Sequence, residues 1–338
     1  MLRAVFSAVA LLVVLGGRAT AGSCDLQRVA NLDVTPAADG LLAIPVTVSG
    51  EPVEMLLDTG AERGVIDISV TQKLGLTPLK IYARPPQFNV PGAPLLSIVQ
   101  FTAPDFYLSD GTKLDHFVKV PTVDMGAAHF GTVEFLLAKF DDAAIQGIAG
   151  SNMLRNFDVE VDPRGAKVNL FSPQHCPDKV VYWASAYSDL PARIGSNGQI
   201  EIEMSLDGHD ITATIDTGAP HTSLNLAAAR RIFDIDTDSP SLERVSGAGD
   251  ETVYRLRFRS LTAGPGLEVK NPQIYLTPDK LAEREMARAR ASYFAGPTGY
   301  RAASLVLGMD VLSQLHFYIA YREQKVYFTA ASAAETAH

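Results

Sequence analysis

Residues 57–61 read Leu-Asp-Thr-Gly-Ala, and residues 215–219 read Ile-Asp-Thr-Gly-Ala. The second copy follows the first at an offset of 158 residues. The same offset carries Gly150 to Gly308, so the repeated unit keeps its register far downstream of the motif. A fixed offset over this length is the mark of an internal repeat. We therefore predict two homologous halves that each supply one aspartate, Asp58 and Asp216.

Each copy has the pattern of a β-hairpin that ends at its aspartate. The apolar runs at residues 43–48 and 200–206 are followed by the turn dipeptides Ser-Gly and Asp-Gly, and then by a second run that reaches the aspartate. Later in each half, an apolar-Gly-x-x-x-Leu segment predicts one helical turn, and a pair of short strands follows it. The sequence therefore predicts a mostly β fold of two lobes with a few short helices.

Composition and charge exclude some classes of partner. With 338 residues, of which 47% are hydrophobic, the chain can bury a sizeable core. The net charge of −9 and the lack of a basic run argue against nucleic acid and against an anionic membrane surface as partners. No long apolar run follows the N-terminal region, so we expect no integral membrane segment in the mature protein.

The N-terminus has the three-part layout of a secretory signal peptide. It begins Met-Leu-Arg, continues with an apolar stretch at residues 4–15, and reaches Ala-Thr-Ala at residues 19–21. We predict a signal peptide over residues 1–21 and export to the periplasm or the extracellular space. A buried N-terminal helix is the alternative.

Two cysteines are present, Cys24 and Cys176. Because an exported protein meets an oxidising compartment, we predict a disulfide between them; the alternatives are two free thiols, or a lipid anchor on Cys24. Two separated cysteines do not make a zinc site, and the histidines show no metal-ligand spacing. We therefore expect no metal and no cofactor.

The repeated Asp-Thr-Gly-Ala motif, followed in each half by an apolar-apolar-Gly segment, resembles the retropepsin-like aspartic proteases. The resemblance implies two acid-protease lobes in one chain, at residues 22–175 and 176–338, that form a pseudo-dimer within a monomer. It also implies an aspartic endopeptidase with a polypeptide substrate. The two aspartates would share one proton and activate a water between them, as is known for aspartic-protease dyads.

The neighbours of the two aspartates gain roles from the same resemblance. The threonines would form hydrogen bonds across the lobe interface, and the glycines would allow the backbone to approach the carboxylates closely. The alanines lack the hydroxyl that pepsin-like relatives often carry there, and removing a donor raises the pKa of a carboxylate. We therefore expect activity at milder acidity than in a gastric-type enzyme. These six supporting residues are Thr59, Gly60, Ala61, Thr217, Gly218 and Ala219.

A protease of this type needs a mobile cover over its cleft. Glycine-containing turns at residues 90–93 and 245–249 are the candidate flap tips, with Gly92, Gly247 and Gly249 as hinges. An ordinary surface turn is the alternative for each.

For the function and assembly of the whole chain, two other hypotheses stay open. One is an exported peptide-binding or scaffolding module with little turnover, and the other is a dimer in which each half pairs with another chain.

Overall fold

The computed structural model describes residues 24–81, 106–108, 112–246, 252–264, 267–278 and 304–330. The predicted signal peptide lies outside these residues. The strands of the first half are β1 (Arg28–Asp33), β2 (Thr35–Pro36), β3 (Leu42–Val48), β4 (Glu51–Leu57), β5 (Val65–Asp67), β6 (Leu79–Lys80), β7 (Phe106–Tyr107), β8 (Lys113–Leu114), β9 (His116–Val120), β10 (Val123–Met125), β11 (Ala128–Phe130), β12 (Val133–Ala138), β13 (Gly147–Ala149), β14 (Asp158–Asp162) and β15 (Lys167–Phe171).

The second half repeats much of this order. Its strands are β16 (Ser188–Ile194), β17 (Ile200–Leu206), β18 (His209–Ile215), β19 (Ser223–Asn225), β20 (Glu243–Ser246), β21 (Val253–Arg257), β22 (Ser260–Ala263), β23 (Leu267–Lys270), β24 (Gln273–Thr277), β25 (Leu305–Leu307), β26 (Leu315–Ala320) and β27 (Lys325–Ala330). The helices in the described residues are α1 (Ile68–Lys73), α2 (Ser151–Leu154), α3 (Leu226–Phe233) and α4 (Met309–Leu312), with a 3-10 turn at Ala38–Gly40. The predicted mostly β fold is confirmed.

Both predicted hairpins form, and their turn residues explain why. Ser49 and Gly50 connect β3 to β4 with φ of 48° and 85°, and Asp207 and Gly208 connect β17 to β18 with φ of 50° and 85°. Two consecutive positive φ angles make a turn whose twist suits a two-residue hairpin. From Ile44 of β3 and Ile202 of β17 onward, alternate side chains are buried, so one face of each hairpin packs into the core.

In each half a later strand inserts next to the hairpin. β13 pairs parallel to β4 and antiparallel to β5, and β25 pairs in the same way with β18 and β19. The loops that carry Asp58 and Asp216 begin at the ends of β4 and β18. The inserted strands β13 and β25 therefore fix the start of each loop. The pairings of the inserted strands are thus the same in both halves, at residues that lie 158 positions apart.

A six-stranded antiparallel region joins the two halves. Its order is β1-β15-β14-β26-β27-β16, and the halves meet where β14 pairs with β26. Val159 faces Ile319 in this pairing, and both side chains are fully buried. Burial of these apolar strands, at about 25 cal/mol per Å² of apolar surface, makes this region a main stabilising contact between the lobes.

The repeat extends to the outer strands of this shared region. Asp33 of β1 faces Lys167 of β15, and Pro191 of β16 faces Lys325 of β27, which are the same pairs shifted by 158 residues.

A disulfide joins Cys24 to Cys176, with 4.9 Å between their Cα atoms. It ties the segment before β1 to the connection between β15 and β16. Within the described residues, no helix has the length and apolar character to cross a membrane.

Candidate active site

The two aspartates stand at equivalent places, each directly after a central strand. The backbone N–H of Asp58 donates to Ala149 O at 3.1 Å, and that of Asp216 donates to Leu307 O at 3.1 Å. These bonds continue the β4–β13 and β18–β25 ladders by one residue. Each aspartate therefore sits on a rigid strand end rather than on a long loop, which favours a fixed side-chain position.

Backbone N–H groups in each loop point at the carboxylates. Asp58 Oδ1 accepts from Gly60 N at 2.9 Å and from Ala61 N at 2.7 Å. Asp216 Oδ1 accepts from Gly218 N at 2.9 Å, whereas Ala219 N donates to the backbone oxygen of Asp216 at 3.3 Å. Each loop therefore directs backbone N–H groups at its own aspartate.

Each glycine faces the carboxyl group of the other half. A Cβ added at Gly60 would lie 2.4 Å from Asp216 Cγ, and one at Gly218 would lie 2.2 Å from Asp58 Cγ. Those distances are too short for any side chain, so only glycine permits this approach. The two carboxyl groups also interact, and the contact with Asp216 acts to lower the pKa of Asp58. The structure therefore brings the two predicted aspartates together between the lobes.

The two threonines interlock beneath the carboxylates. Thr59 Oγ1 donates to Ile215 O at 2.9 Å and accepts from Thr217 N at 3.1 Å. Thr217 Oγ1 donates to Leu57 O at 2.7 Å and accepts from Thr59 N at 3.1 Å. Both threonines are fully buried, so these four bonds are shielded from water. The contact predicted from the family resemblance is present, and it fixes one loop against the other.

The environment raises the pKa of Asp58. Burial between the two loops disfavours its charged form and outweighs the opposing hydrogen bonds from Ala61, Gly60 and Asp216. An aspartate with a raised pKa keeps a proton at milder acidity. The direction agrees with the expectation from the sequence, but the main cause is burial and not the missing hydroxyl at Ala61.

Further residues support the loops from α2 and α4. Asn152 Oδ1 accepts from Gly64 N at 2.8 Å, and the equivalent Asp310 Oδ1 accepts from Thr222 N at 2.8 Å. Ser151 Oγ donates to Thr59 O at 3.1 Å, and its counterpart is an apolar methionine. Sequence reasoning missed these residues. A usable signal was their position, because Asn152 and Asp310 each stand two residues after the equivalent glycines Gly150 and Gly308.

The loops differ once they leave the shared motif. Arg63 Nη1 lies 3.6 Å from Glu134 Oε2 in the first half. The equivalent residue of the second half is His221, which is exposed and stacks on the Tyr275 ring at 4.3 Å between centroids. The surfaces that flank the two carboxylates are therefore unlike each other.

The candidate flap glycines lie outside the described residues. Gly92 falls in the chain between β6 and β9, which pair antiparallel, and Gly247 and Gly249 fall between β20 and β21, which also pair antiparallel. Both candidates thus occupy equivalent places in the chain order, and their role stays a prediction. Among the described residues, no cluster of histidine, cysteine and acidic side chains could hold a metal ion.

Comparison with known proteins gives one family match. Residues 44–85 and 202–311, which include both Asp-Thr-Gly motifs, match the family model described as aspartyl protease. No curated protein shows significant sequence similarity to the chain.

Several solved structures are similar to this chain at low identity. A retropepsin-like aspartic protease from Rickettsia conorii shares 16% identity, covering 43% of this chain and 94% of its own, with a TM-score of 0.29. Basic 7S globulin from soybean shares 13%, covering 91% and 96%, with a TM-score of 0.43. Conglutin gamma, a basic 7S globulin from lupine seeds, shares 12%, covering 90% and 95%, with a TM-score of 0.47.

Proposed function

This chain is a retropepsin-like protein of two lobes, and we propose that it is an aspartic endopeptidase whose single active site is built from Asp58 and Asp216. The observation that carries the proposal is the crossed approach of the two loops, in which each carboxyl group faces the motif glycine of the opposite half and the two carboxyl groups come together. A carboxylate pair that shares one proton can act as base and acid in the same step.

The proposed reaction uses the dyad to activate water. One carboxylate takes a proton from a water held between the two groups, and the other gives its proton to the carbonyl oxygen of the scissile peptide bond. The carbon–nitrogen bond then breaks, and the amine leaves with a proton from the dyad. The raised pKa of Asp58 keeps one proton on the pair at mild acidity. No metal or other cofactor takes part in this proposal.

The surroundings have proposed roles as well. Thr59 and Thr217 hold the loops in place, because their four bonds cross between the halves. The segments that contain Gly92, Gly247 and Gly249 would cover an extended polypeptide substrate, held mainly through its backbone. We further propose that the signal peptide over residues 1–21 exports the protein, and the Cys24–Cys176 disulfide is compatible with an oxidising compartment.

The test is cleavage of an unfolded protein by the purified chain from about pH 3 to about pH 7, beside Asp58→Asn and Asp216→Asn. We expect a bell-shaped pH profile for the wild type and a loss of at least about 10³-fold in each variant. Asp33→Asn is the matched control, because Asp33 is an exposed aspartate distant from the loops. A pH optimum below about 3 would contradict the role given to the raised pKa of Asp58.

Mixing the two single variants tests the assembly. If both halves of one chain form the site, a mixture of Asp58→Asn and Asp216→Asn stays inactive. If each half pairs with a second chain, mixed dimers carry one intact dyad and regain activity. A folded wild type that binds unfolded protein but cleaves none would instead establish a binding module.

A further inference from the structure

A cavity of about 620 Å³ opens on the second half, and no residue of the two aspartate loops lines it. Its floor is aromatic. The Phe233 ring lies edge-on to His209 at 5.2 Å and edge-on to Phe258 at 5.1 Å between centroids. We call this feature the arginine cavity, because four arginines from three separate parts of the fold line it. They are Arg230, Arg231, Arg257 and Arg259.

Two of these arginines are already paired. Arg230 Nε lies 2.9 Å from Asp236 Oδ1. Arg259 Nε lies 3.4 Å from Asp207 Oδ2, while the same aspartate accepts the backbone N–H groups of Arg259 and Ser260. These two pairs are part of the wall of the cavity and offer little charge to a ligand.

The other two arginines keep their charge available. Arg231 makes one long contact, at 3.5 Å to Ser304 Oγ, and Arg257 has an exposed side chain. In the part of the chain that the structure describes, neither forms an ion pair. One unpaired acid, Asp234, also lines the cavity, so its rim stays cationic on a chain whose net charge is −9.

The equivalent place in the first half has a different arrangement of charges. The residues equivalent to His209 and Arg231 are Glu51 and Lys73, and these two form an ion pair with Nζ 2.5 Å from Oε1. There the cation is neutralised by its own neighbour. In the second half the acid is replaced by histidine, so the cation faces solvent instead.

The aromatic floor is also confined to the second half. The residue equivalent to Phe233 is Gly75, which has a positive φ and open space where a Cβ would lie. Compared with the first half, the second half therefore has both a ring and an uncompensated cation at one place. A cavity that offers two available guanidinium groups and an aromatic surface is suited to a ligand that carries acids and an apolar group.

We propose that the arginine cavity binds an acidic segment of polypeptide. Carboxylates of the segment pair with Arg231 and Arg257, and an aromatic side chain between them packs on Phe233 and Phe258. Because α3 and β21 supply the two cations from separate elements, a segment that carries several acids can pair with both of them. The cavity volume lies in the range of sites that hold a drug-sized ligand. This site goes beyond the proposed peptidase activity and does not depend on it.

The test measures binding of fluorescein-labelled Glu-Glu-Phe-Glu-Glu by fluorescence anisotropy, with the full chain carrying Asp58→Asn so that cleavage does not interfere. We expect Arg231→Gln and Arg257→Gln each to weaken binding about threefold to fivefold, and the double variant about tenfold or more. Replacing the central Phe of the peptide by Ala should weaken binding about tenfold. Lys73→Gln, in the first half, is the matched control and should leave affinity unchanged.

Three results would each overturn the proposal. One is equal binding of Lys-Lys-Phe-Lys-Lys. Another is unchanged affinity in the Arg231→Gln/Arg257→Gln double variant. The third is full displacement by inorganic phosphate at matched ionic strength together with unchanged binding of the Ala peptide, which would establish a simple anion site. Because binding is measured without the dyad, a failure of the peptidase proposal leaves the result interpretable.

Discussion

The close contact between Gly218 and Asp58 makes this glycine a sensitive position in the site. We predict that Gly218→Ala lowers kcat about 100-fold, because the new methyl group would lie 2.2 Å from Asp58 Cγ and must push the carboxyl group away. Steady-state cleavage assays measure this. Gly131→Ala is the control, since a Cβ there meets nothing within 4 Å. Wild-type kcat in Gly218→Ala would show that the carboxyl groups do not need this approach.

The buried hydroxyl of Thr217 is expected to stabilise the protein. Thr217→Val keeps the shape but leaves Leu57 O and Thr59 N without their partner, so we expect a loss of about 2 to 4 kcal/mol in the free energy of unfolding. Urea denaturation measures it. Thr212→Val removes an exposed hydroxyl of β18, the strand that leads into the Asp216 loop, and should cost less than about 0.5 kcal/mol. Similar losses in both variants would contradict the role of the interlocked threonines.

For individual residues, the sequence predicts the site positions within the Asp-Thr-Gly motif and misses the supporting positions outside it. Asp58, Asp216 and their threonines and glycines form a short pattern whose repetition is visible in the chain. Asn152 and Asp310 reach their backbone partners across 88 residues, and they are different residue types in the two halves. A contact at that separation depends on how β13 and β25 insert, which no local pattern specifies.

Among the elements, β14 carries a buried polar cluster to the lobe interface. His175 Nε2 lies 2.5 Å from Asp158 Oδ2, and His175 Nδ1 lies 3.2 Å from Glu323 Oε1, with Tyr318 OH also donating to Asp158. Burial raises the pKa of Asp158. Burial alone would lower the pKa of His175, but its bonds to Cys176 O and to Asp158 raise it overall.

Both shifts mean that the folded protein binds protons more tightly than the unfolded chain, so stability falls as the pH rises. The part due to His175 is fully present below its ordinary pKa of 6.5 and is lost as the pH passes the raised value. We predict that His175→Gln costs about 3 kcal/mol at about pH 5.5 and less at about pH 8.5. Urea denaturation at both pH values measures the difference.

His129→Gln is the control for this prediction. His129 also contacts an aspartate, at 2.7 Å, but its side chain is 77% exposed. Water screens such a pair, so the variant should leave both denaturation midpoints unchanged. An equal cost of His175→Gln at the two pH values would show that the histidine acts only through its shape.

The elements themselves are only partly predictable from sequence. The Ser49-Gly50 and Asp207-Gly208 turns predict the two hairpins because a two-residue turn is local. The six-stranded region between the lobes joins β1 to β15 and β14 to β26, which are far apart in the chain. The acidic residues of β14 have no acidic equivalents in β26, so the sequence itself indicates that the two halves differ here. In the structure Glu160 accepts from His316 of the other half at 2.8 Å, so this asymmetry is part of the lobe contact.

For the whole molecule, the Cys24–Cys176 disulfide closes a loop of 152 residues around the first half. A crosslink of that span restricts the unfolded chain strongly, so we predict that Cys24→Ser/Cys176→Ser lowers the free energy of unfolding by about 3 kcal/mol. Urea denaturation with and without dithiothreitol measures this. The reductant should destabilise the wild type and leave the double variant unchanged. A wild type that is indifferent to the reductant would contradict the prediction.

The unlike flanks of the two aspartate loops give the site a direction. In a symmetric pair of identical chains, an extended peptide meets the same side chains whether it lies forwards or backwards. Here one end of such a peptide would approach Arg63 and its partner Glu134, and the other end would approach His221 stacked on Tyr275. Reversing the peptide exchanges these neighbours, so its amino and carboxyl ends are no longer equivalent. Under the proposed function, fusion of the two halves would let the site distinguish a peptide sequence from its reverse.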